Sequence, residues 1–303
     1  MHQPQTTPRA SIYYDYRVYP FETAPEQRGE SRRYPVIIVG AGPIGLTTAL
    51  DLARYGVPSV IVEAECQVSH GSRAIVFTRR SMEILQQVGV ADRMLEKALP
   101  WRFGNSIYRG RRVFRMEAPH DDDDRFAPMN NLQQQYLEEY LLERVLQTPL
   151  IELRWGTRVT GIDNGDDGVR LELDTPEGAY GLDCDWLVAA DGARSTVRQL
   201  LDLRMEGDSY SGHFVIADIR IDIDLPTERL AFFDPDWNPG NTILMHREPD
   251  GIWRLDYQLP PDETPEQALA PEALNRRIQA QLEMIGVDAP GNWTGVRSIR
   301  PAP

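Results

Sequence analysis

A glycine-rich turn followed by an acidic residue has the spacing that best indicates chemistry in this sequence. The turn reads Gly40-Ala-Gly42-Pro43-Ile44-Gly45, and Glu63 lies 23 positions after Gly40. In a dinucleotide site the first glycine makes a tight turn, the second lets the backbone reach a pyrophosphate, and the third lets helix and strand pack closely. The N–H groups at the helix N-terminus then bind phosphate, and the acidic residue accepts hydrogen bonds from ribose hydroxyls. The spacing therefore predicts a site for an adenine dinucleotide.

The residues around this turn have the patterns of the elements that must position it. The continuous apolar run 34–40 predicts a buried parallel strand, residues 43–55 have helical spacing, and residues 57–63 predict a second strand. Residues 34–63 therefore form one β-α-β unit, with the glycine turn after a strand and at the start of a helix. This context supports a dinucleotide site, but it does not separate FAD from NAD.

Two different strand patterns indicate two domains. Before residue 205 the predicted strands 151–155, 158–163, 169–174 and 185–190 are combined with predicted helices at 79–88, 91–98 and 132–147 and a helix from about 195. After residue 212 the predicted strands are 213–224, 229–234, 242–247, 252–259 and 293–299, with a helix at 271–285. The fold class is therefore α/β, a Rossmann-like domain with a parallel sheet plus a second, mainly antiparallel β-sheet domain.

The composition argues against several classes of function. The 303 residues contain 32 Lys and Arg against 46 Asp and Glu, so a net charge of −14 disfavours partners such as nucleic acid or an anionic membrane surface. Cys66 and Cys184 form no CxxC pair and the five histidines show no HxxxH spacing, so we expect no metal site. Four aspartates at 121–124 predict a solvated loop. Because no apolar leader or spanning segment is visible, we expect a cytoplasmic protein.

Four further segments indicate the cofactor by resemblance. They are Ser72-Arg73-Ala74-Ile75, the run 132–141 with Gln134, Arg158-Val159, and the run 187–198 with Asp191-Gly192. In this order, and together with the glycine turn, they resemble the class A FAD-dependent aromatic hydroxylases, the flavoprotein monooxygenases, over residues 34 to about 300. The sequence is most similar to the 3-(3-hydroxyphenyl)propionate hydroxylase branch of that family.

The resemblance implies roles for individual residues. Arg73 is expected to lie against FAD, Gln134 to meet the ribityl chain of the flavin, and Val159 to back the adenine. The Asp191-Gly192 motif is tied in the family to FAD and to the reducing nicotinamide nucleotide. The expected cofactor-binding residues are Gly40, Gly42, Pro43, Ile44, Gly45, Glu63, Arg73, Gln134, Val159, Asp191 and Gly192.

The resemblance also implies an activity. NAD(P)H reduces FAD, dioxygen adds at the flavin C4a position, and the hydroperoxide formed there hydroxylates a phenol or another aromatic substrate. The expected partners are a small aromatic substrate and dioxygen. The sequence does not choose between NADH and NADPH, and it leaves homo-oligomer formation open.

By the same resemblance the chain divides into an N-terminal extension at 1–33, an FAD-binding domain at 34–205 and a substrate-binding sheet domain at 206–303. The extension has no sustained period, and we expect it to pack on the body through Tyr13, Tyr14, Tyr16 and Tyr19.

The second domain offers candidates for the substrate side, but no catalytic residue can be assigned. Trp253, Leu255, Tyr257 and Leu259 share one face of a predicted strand because side chains alternate with a period of two. This face could line a phenol pocket, but its residues are more typical of a core between a sheet and a helix. His213 and His246 lie at strand ends, where a surface or structural histidine is the more common case.

One expected motif of the family is absent from the sequence. After the second domain the family has a Gly-Asp segment and a helix, whereas this sequence stops at Arg300-Pro-Ala-Pro303. The fold is therefore expected to be a truncated aromatic-hydroxylase fold that does not hydroxylate a substrate alone. Two alternatives stay open, an FAD-binding oxidoreductase without oxygen insertion and a truncated, non-catalytic remnant that binds a dinucleotide.

Overall fold

The computed structural model describes residues 1–71, 75–208, 212–287 and 294–301, the last range by its backbone alone. The α-helices in these ranges are α1 Pro43–Arg54, α2 Arg79–Gln87, α3 Ala91–Leu95, α4 Gln134–Leu146, α5 Thr196–Leu200, α6 Pro265–Ala268 and α7 Pro271–Met284, and a short 3-10 helix spans Pro25–Arg28. The strands are β1 Arg33–Val39, β2 Ser59–Val62, β3 Val76–Thr78, β4 Leu99–Trp101, β5 Phe103–Tyr108, β6 Arg111–Glu117, β7 Met129–Asn131, β8 Ile151–Arg154, β9 Arg158–Gly165, β10 Gly168–Thr175, β11 Gly178–Ala189, β12 His213–Arg220, β13 Arg229–Phe233, β14 Thr242–Glu248, β15 Ile252–Gln258 and β16 Thr294–Pro301.

The first sheet has six strands in the order β8-β2-β1-β11-β10-β9. Strands β8, β2, β1 and β11 are parallel, and the antiparallel strands β10 and β9 extend the sheet beyond β11. Val39 at the end of β1 lies opposite Val62 on β2 and Ala189 on β11. The carboxyl ends of three strands therefore meet at one edge, the position at which parallel sheets bind ligands.

The first sheet is covered on both faces, which explains the continuous apolar sequence of its central strands. Ile38 and Ile61 pack in the cluster formed with α1 and α4, whereas Ile37 and Val60 pack on the opposite face with residues of β9 and β10. Each of these four side chains is at most 1% exposed. A strand between two apolar layers needs hydrophobic residues at every position, and β1 and β2 have them.

The second sheet has seven strands in the order β16-β12-β15-β14-β13-β5-β6. It is antiparallel except at the parallel pair of β13 and β5. The two sheets confirm the predicted fold class. The division near residue 205 stays a prediction, and the structure adds that residues 103–117 supply two strands of the second sheet.

The aromatic face of β15 is a core between sheet and helix. Trp253, Leu255 and Tyr257 are each 1% exposed and pack in one cluster with α7, which contributes Leu274 and Ile278. The structure therefore favours the core interpretation of this face over the phenol pocket. A substrate that contacts this sheet must use the opposite face.

The opposite face of the second sheet carries a buried group of charges. Arg254 on β15 donates to both carboxylate oxygens of Asp218 on β12, at 2.6 and 2.8 Å. Its Nε also lies 3.2 Å from a carboxylate oxygen of Glu248 on β14. The three side chains are at most 8% exposed. Burial raises the pKa of Glu248, Arg254 lowers it, and Asp218 and Asp256 raise it, and together these effects bring the pKa to about 8.

This pKa predicts a pH dependence of stability. The unfolded chain releases the Glu248 proton near the ordinary glutamate pKa of about 4.3, whereas the folded carboxyl keeps it to about 8. The folded state binds more protons between these values, so the free energy of unfolding should fall as pH rises from about 5 to 8. Glu248→Gln removes this titration and should flatten the slope, with a difference on the order of a few kcal/mol at pH 8. Urea unfolding at pH 5, 6.5 and 8 measures it. Glu30→Gln, at an exposed position, is the control and should keep the slope of the wild type. Equal slopes for Glu248→Gln and the wild type would contradict the raised pKa of Glu248.

The N-terminal extension packs on the first sheet through its tyrosines, as expected. Tyr14 and Tyr16 are at most 9% exposed and lie in the same cluster as α1 and α4. Tyr19 stacks on Trp155, with ring centroids 4.8 Å apart and an interplanar angle of 9°. These contacts bury Tyr14 and Tyr16 and half-bury Tyr19, so the extension is an integral part of the folded chain.

Two further findings concern metal sites and membrane-spanning helices. Within the described residues, no three or more His, Cys, Asp or Glu side chains come together in a way that could hold a metal ion. Every helix in those same ranges is too short or too polar to cross a membrane. The aspartates at 121–124 lie in a turn, as predicted.

Candidate functional site

The glycine turn connects β1 to α1, and two of its glycines are required by close packing. Gly40 has a φ of 106°, and a Cβ there would lie 2.6 Å from the carbonyl oxygen of Ala190. A Cβ at Gly45 would overlap the carbonyl oxygen of Gly40. Both positions therefore exclude side chains in the folded protein itself, with or without a ligand.

Gly42 differs, because the space beside it is open. Its φ of −78° suits any residue, and a Cβ built on it meets no atom within 4 Å. Gly42 is the N-cap of α1, without a side chain to cap the helix, and Pro43 takes the first helical position. The first intrahelical bond runs from the N–H of Leu46 to the Gly42 carbonyl at 3.0 Å, so the N–H groups of Ile44 and Gly45 precede it. This is the geometry that a pyrophosphate needs.

Glu63 follows β2 beside this turn, and the backbone fixes its carboxylate. One oxygen accepts from the N–H of Ala41 at 2.8 Å, and the other accepts from the N–H of Glu65 at 2.9 Å. Burial raises the pKa of Glu63, and the two backbone bonds lower it. A carboxylate held in this way keeps lone pairs for further donors such as ribose hydroxyls.

The start of β9 comes close to Glu63. The N–H of Thr157 donates to the Glu63 carbonyl at 2.8 Å, and the N–H of Gly156 donates to the Glu65 carbonyl at 3.1 Å. Val159, two residues further, is 4% exposed and packs in the cluster that includes Val62. The structure thus brings the segment predicted to back the adenine to the residue predicted to hold the ribose.

The Asp191-Gly192 turn packs against the glycine turn. The N–H of Ala190 donates to the Val39 carbonyl at 2.8 Å, and Gly192 has a φ of 78°. The Asp191 carboxylate accepts from the Ser195 hydroxyl at 2.6 Å and from the N–H of Val197 at 3.0 Å. Asp191 therefore holds the start of α5, and its family role toward the cofactor stays a prediction.

Gln134 begins α4 and is 8% exposed. Its Nε2 donates to Glu138 at 2.6 Å, and the other carboxylate oxygen of Glu138 accepts from the N–H of Ser69 at 2.6 Å. Burial raises the pKa of Glu138. Glu138 had no predicted role, although its position four residues after Gln134 places both side chains on one helix face.

The remaining candidates lie elsewhere. Arg73 falls outside the described residues. His213 is exposed on β12, and His246 is 4% exposed on β14. Burial lowers the pKa of His246 to about 3, and Arg229 and Arg254 lower it as well, so this imidazole is neutral at pH 7. Neither histidine belongs to the edge of the first sheet that carries the glycine turn.

A comparison with known protein families matches residues 33–294 to the family described as FAD binding domain. The chain belongs to this family. The match covers most of the chain and includes the glycine turn, Glu63, Gln134 and the Asp191-Gly192 turn. The prediction of FAD as the cofactor of this FAD-binding domain is therefore confirmed.

The similar proteins are aromatic hydroxylases, which confirms the resemblance. Para-nitrophenol 4-monooxygenase of Pseudomonas sp. (strain WBC-3) is 31% identical over 231 residues, which cover 73% of this chain and 55% of that protein. A 3-(3-hydroxy-phenyl)propionate/3-hydroxycinnamic acid hydroxylase of Mycolicibacterium smegmatis is 29% identical over 238 residues, covering 78% and 42% respectively. The chain thus spans about half the length of these curated relatives.

Solved structures of similar proteins have the same fold as this chain. The crystal structure of p-nitrophenol 4-monooxygenase from Pseudomonas putida DLL-E4 matches with a TM-score of 0.78 at 26% identity, covering 89% of this chain and 68% of that chain. The flavin-dependent monooxygenase PieE, solved in complex with FAD and substrate, matches with a TM-score of 0.76 at 26% identity, covering 89% and 50%.

The residues present fit FAD. The open space at Gly42 and the N–H groups after it suit the pyrophosphate, and the fixed carboxylate of Glu63 suits the adenosine ribose. We expect Glu63→Ala to weaken the binding of ADP and of FAD by about 1–3 kcal/mol, because each complex loses charge-assisted hydrogen bonds. Isothermal titration with both ligands measures the loss. Glu152→Ala, which removes an acidic residue from β8, is the control, and an unchanged dissociation constant in Glu63→Ala would remove the residue from the site.

Proposed function

We propose that the protein acts as an FAD-dependent monooxygenase that uses NAD(P)H and dioxygen to hydroxylate a phenol or another small aromatic substrate. The observation that carries this proposal is the open phosphate cradle at Gly42, set between Glu63 and the Asp191-Gly192 turn. The names of the similar proteins support the reaction class, because they are monooxygenases and hydroxylases of aromatic compounds. Bound FAD would supply the transfer of electrons from NAD(P)H to dioxygen.

The residues of this chain would bind and orient the cofactor. Gly42 and the N–H groups of Ile44 and Gly45 receive the pyrophosphate, and Glu63 accepts from the ribose hydroxyls. Gln134, held by Glu138 at 2.6 Å, presents its amide to the ribityl chain. The adenosine end and the flavin end are thus held by different elements, β2 and α4.

The second sheet supplies the substrate side in this proposal. Its Trp253 face is covered by α7, and Arg254, Asp218 and Glu248 are buried on the opposite face, so the part of that face at β5 and β13 is the one left for an aromatic ring. Gly104, Ser106 and Ala231 lie on that opposite face, are half-buried and have small side chains. Small residues leave room for a flat ring between two protein surfaces, and exclusion of water there would protect the reaction.

The test combines binding with product analysis. The purified product of the complete gene is titrated with FAD, supplied with NADH or NADPH under ¹⁸O₂, and assayed with phenols that include 4-nitrophenol and 3-(3-hydroxyphenyl)propionate. A product with one labelled oxygen in its ring hydroxyl supports the proposal. Saturable FAD binding with reduction but only hydrogen peroxide as product favours the oxidoreductase without oxygen insertion. Protein that binds neither FAD nor ADP overturns the proposal.

A further inference from the structure

The N-terminal extension lies along the loop 64–71, which directly follows Glu63 in the chain. Almost every residue of this loop forms a hydrogen bond with a residue of the segment 2–19. The N–H of Tyr19 donates to the Cys66 carbonyl at 2.8 Å. The Arg9 guanidinium donates to the Val68 carbonyl and to the Glu65 carboxylate, both at 2.8 Å. The conformation of the loop therefore depends on a segment that is distant from it in sequence.

The hydroxyl of Tyr16 is the contact that joins this loop to α4. It donates to the Ser69 carbonyl at 3.0 Å and accepts from the N–H of Gly71 and from Nε2 of Gln135, both at 3.1 Å. A hydroxyl has one donor and two acceptor lone pairs, and here all three are used. Tyr16 is 6% exposed, so water does not replace these bonds if the hydroxyl is lost.

The bonds of Tyr16 continue to Gln134 through two residues. Tyr16 holds the carbonyl of Ser69, and the N–H of the same residue donates to Glu138 at 2.6 Å. The second oxygen of Glu138 accepts from Nε2 of Gln134 at 2.6 Å. The position of Ser69 therefore fixes the Glu138 carboxylate, and the carboxylate fixes the orientation of the Gln134 amide.

We propose that Tyr16 is a positioning residue for FAD, which sets the Gln134 amide for the flavin end of the cofactor by fixing the loop 64–71 on α4. This inference rests on the proposed function, because it takes Gln134 as a contact of the ribityl chain. Glu63 is held separately by the N–H groups of Ala41 and Glu65. Loss of the Tyr16 hydroxyl therefore leaves the adenosine end in place.

The test is the variant Tyr16→Phe, which keeps the buried ring and removes the hydroxyl alone. We expect its dissociation constant for FAD to rise about tenfold, and its dissociation constant for ADP to change less than about twofold, because three buried bonds are lost at the flavin end only. Hydrogen exchange of the Gly71 amide should also become faster, since this N–H loses its acceptor. Tyr19→Phe is the control, because the Tyr19 ring stacks on Trp155 and the contact of Tyr19 with the loop is made by its backbone N–H, which the substitution keeps.

The outcomes are distinguishable. If the wild type binds FAD and Tyr16→Phe binds it equally well, the positioning role is wrong and the proposed function stands. Equal weakening of FAD and ADP together with a lower melting temperature would show a purely structural role and would also overturn the inference. Wild-type protein that binds neither ligand overturns the proposed function itself.

Discussion

Gly42→Val should abolish measurable FAD binding and leave the protein folded. The Cβ of the new residue enters space that is open within 4 Å in the folded chain, and the φ of −78° accepts valine without strain. The same space is where a pyrophosphate would approach the backbone, so the branched side chain excludes the ligand sterically. We expect the affinity for FAD and for ADP to fall at least about a hundredfold, while loss of a glycine N-cap costs about 1 kcal/mol or less of stability. Fluorescence titration and thermal unfolding measure the two effects.

Two other glycines make this prediction specific. Gly165→Val, in the hairpin between β9 and β10, also adds a side chain without a close clash and should leave FAD binding intact. Gly45→Val should instead unfold the turn, because its Cβ overlaps the Gly40 carbonyl. FAD binding by folded Gly42→Val with wild-type affinity would show that the phosphates bind elsewhere.

Arg254→Met should be the most destabilising charge substitution in the second sheet, costing about 3–5 kcal/mol. The guanidinium is 2% exposed and neutralises Asp218 by two hydrogen bonds at 2.6 and 2.8 Å. Methionine fills much of the volume but leaves a buried carboxylate without its cation, and desolvation of such a charge is expensive. Urea unfolding at pH 7 measures the change.

An exposed pair and a double variant separate charge burial from other causes. Arg170 and Asp183 also form two hydrogen bonds, but their side chains are 58% and 35% exposed, so Arg170→Met should cost no more than about 1 kcal/mol. Arg254→Met combined with Asp218→Leu should recover part of the lost stability, because both charges are then absent. A double variant that is less stable than Arg254→Met alone would contradict this explanation.

The grouping of Gly40, Gly42 and Glu63 could be predicted from the sequence because its determinants are local. Gly40, Gly42 and Glu63 lie within one β-α-β unit, and the structure places them together at the ends of β1 and β2. The hydrogen bonds of Tyr16 join it to residues 53, 55 and 119 positions away, and no periodic pattern reports such contacts. The hydrogen bonds that connect Tyr16 to Glu138 could therefore not be predicted from the sequence, whereas Gln134 was predicted by resemblance and its spacing from Glu138 is visible in the sequence.

Strands β5 and β6 were not predicted, for a different reason. All seven residues of β6 are exposed, so its side chains show no alternation between core and solvent. Strand β5 is half-buried and begins beside glycine, which weakens the strand signal further. Their place in the second sheet is decided by the pairing of β5 with β13, which is a tertiary contact.

That pairing also imposes an order on synthesis and folding. Gly104 of β5 lies opposite Arg229 of β13, which leaves the ribosome 125 residues later. Strand β5 can therefore pair with β13 only after all the strands of the first sheet and the first strand of the central antiparallel group have been made. Long-range pairing of this kind slows folding and prolongs the time in which an open strand edge can associate with other chains. The arginines at 111, 112 and 115 lie on β6, which forms the outer edge of the hairpin and of the finished sheet, and their positive charge discourages association of that edge with another copy of the same hairpin.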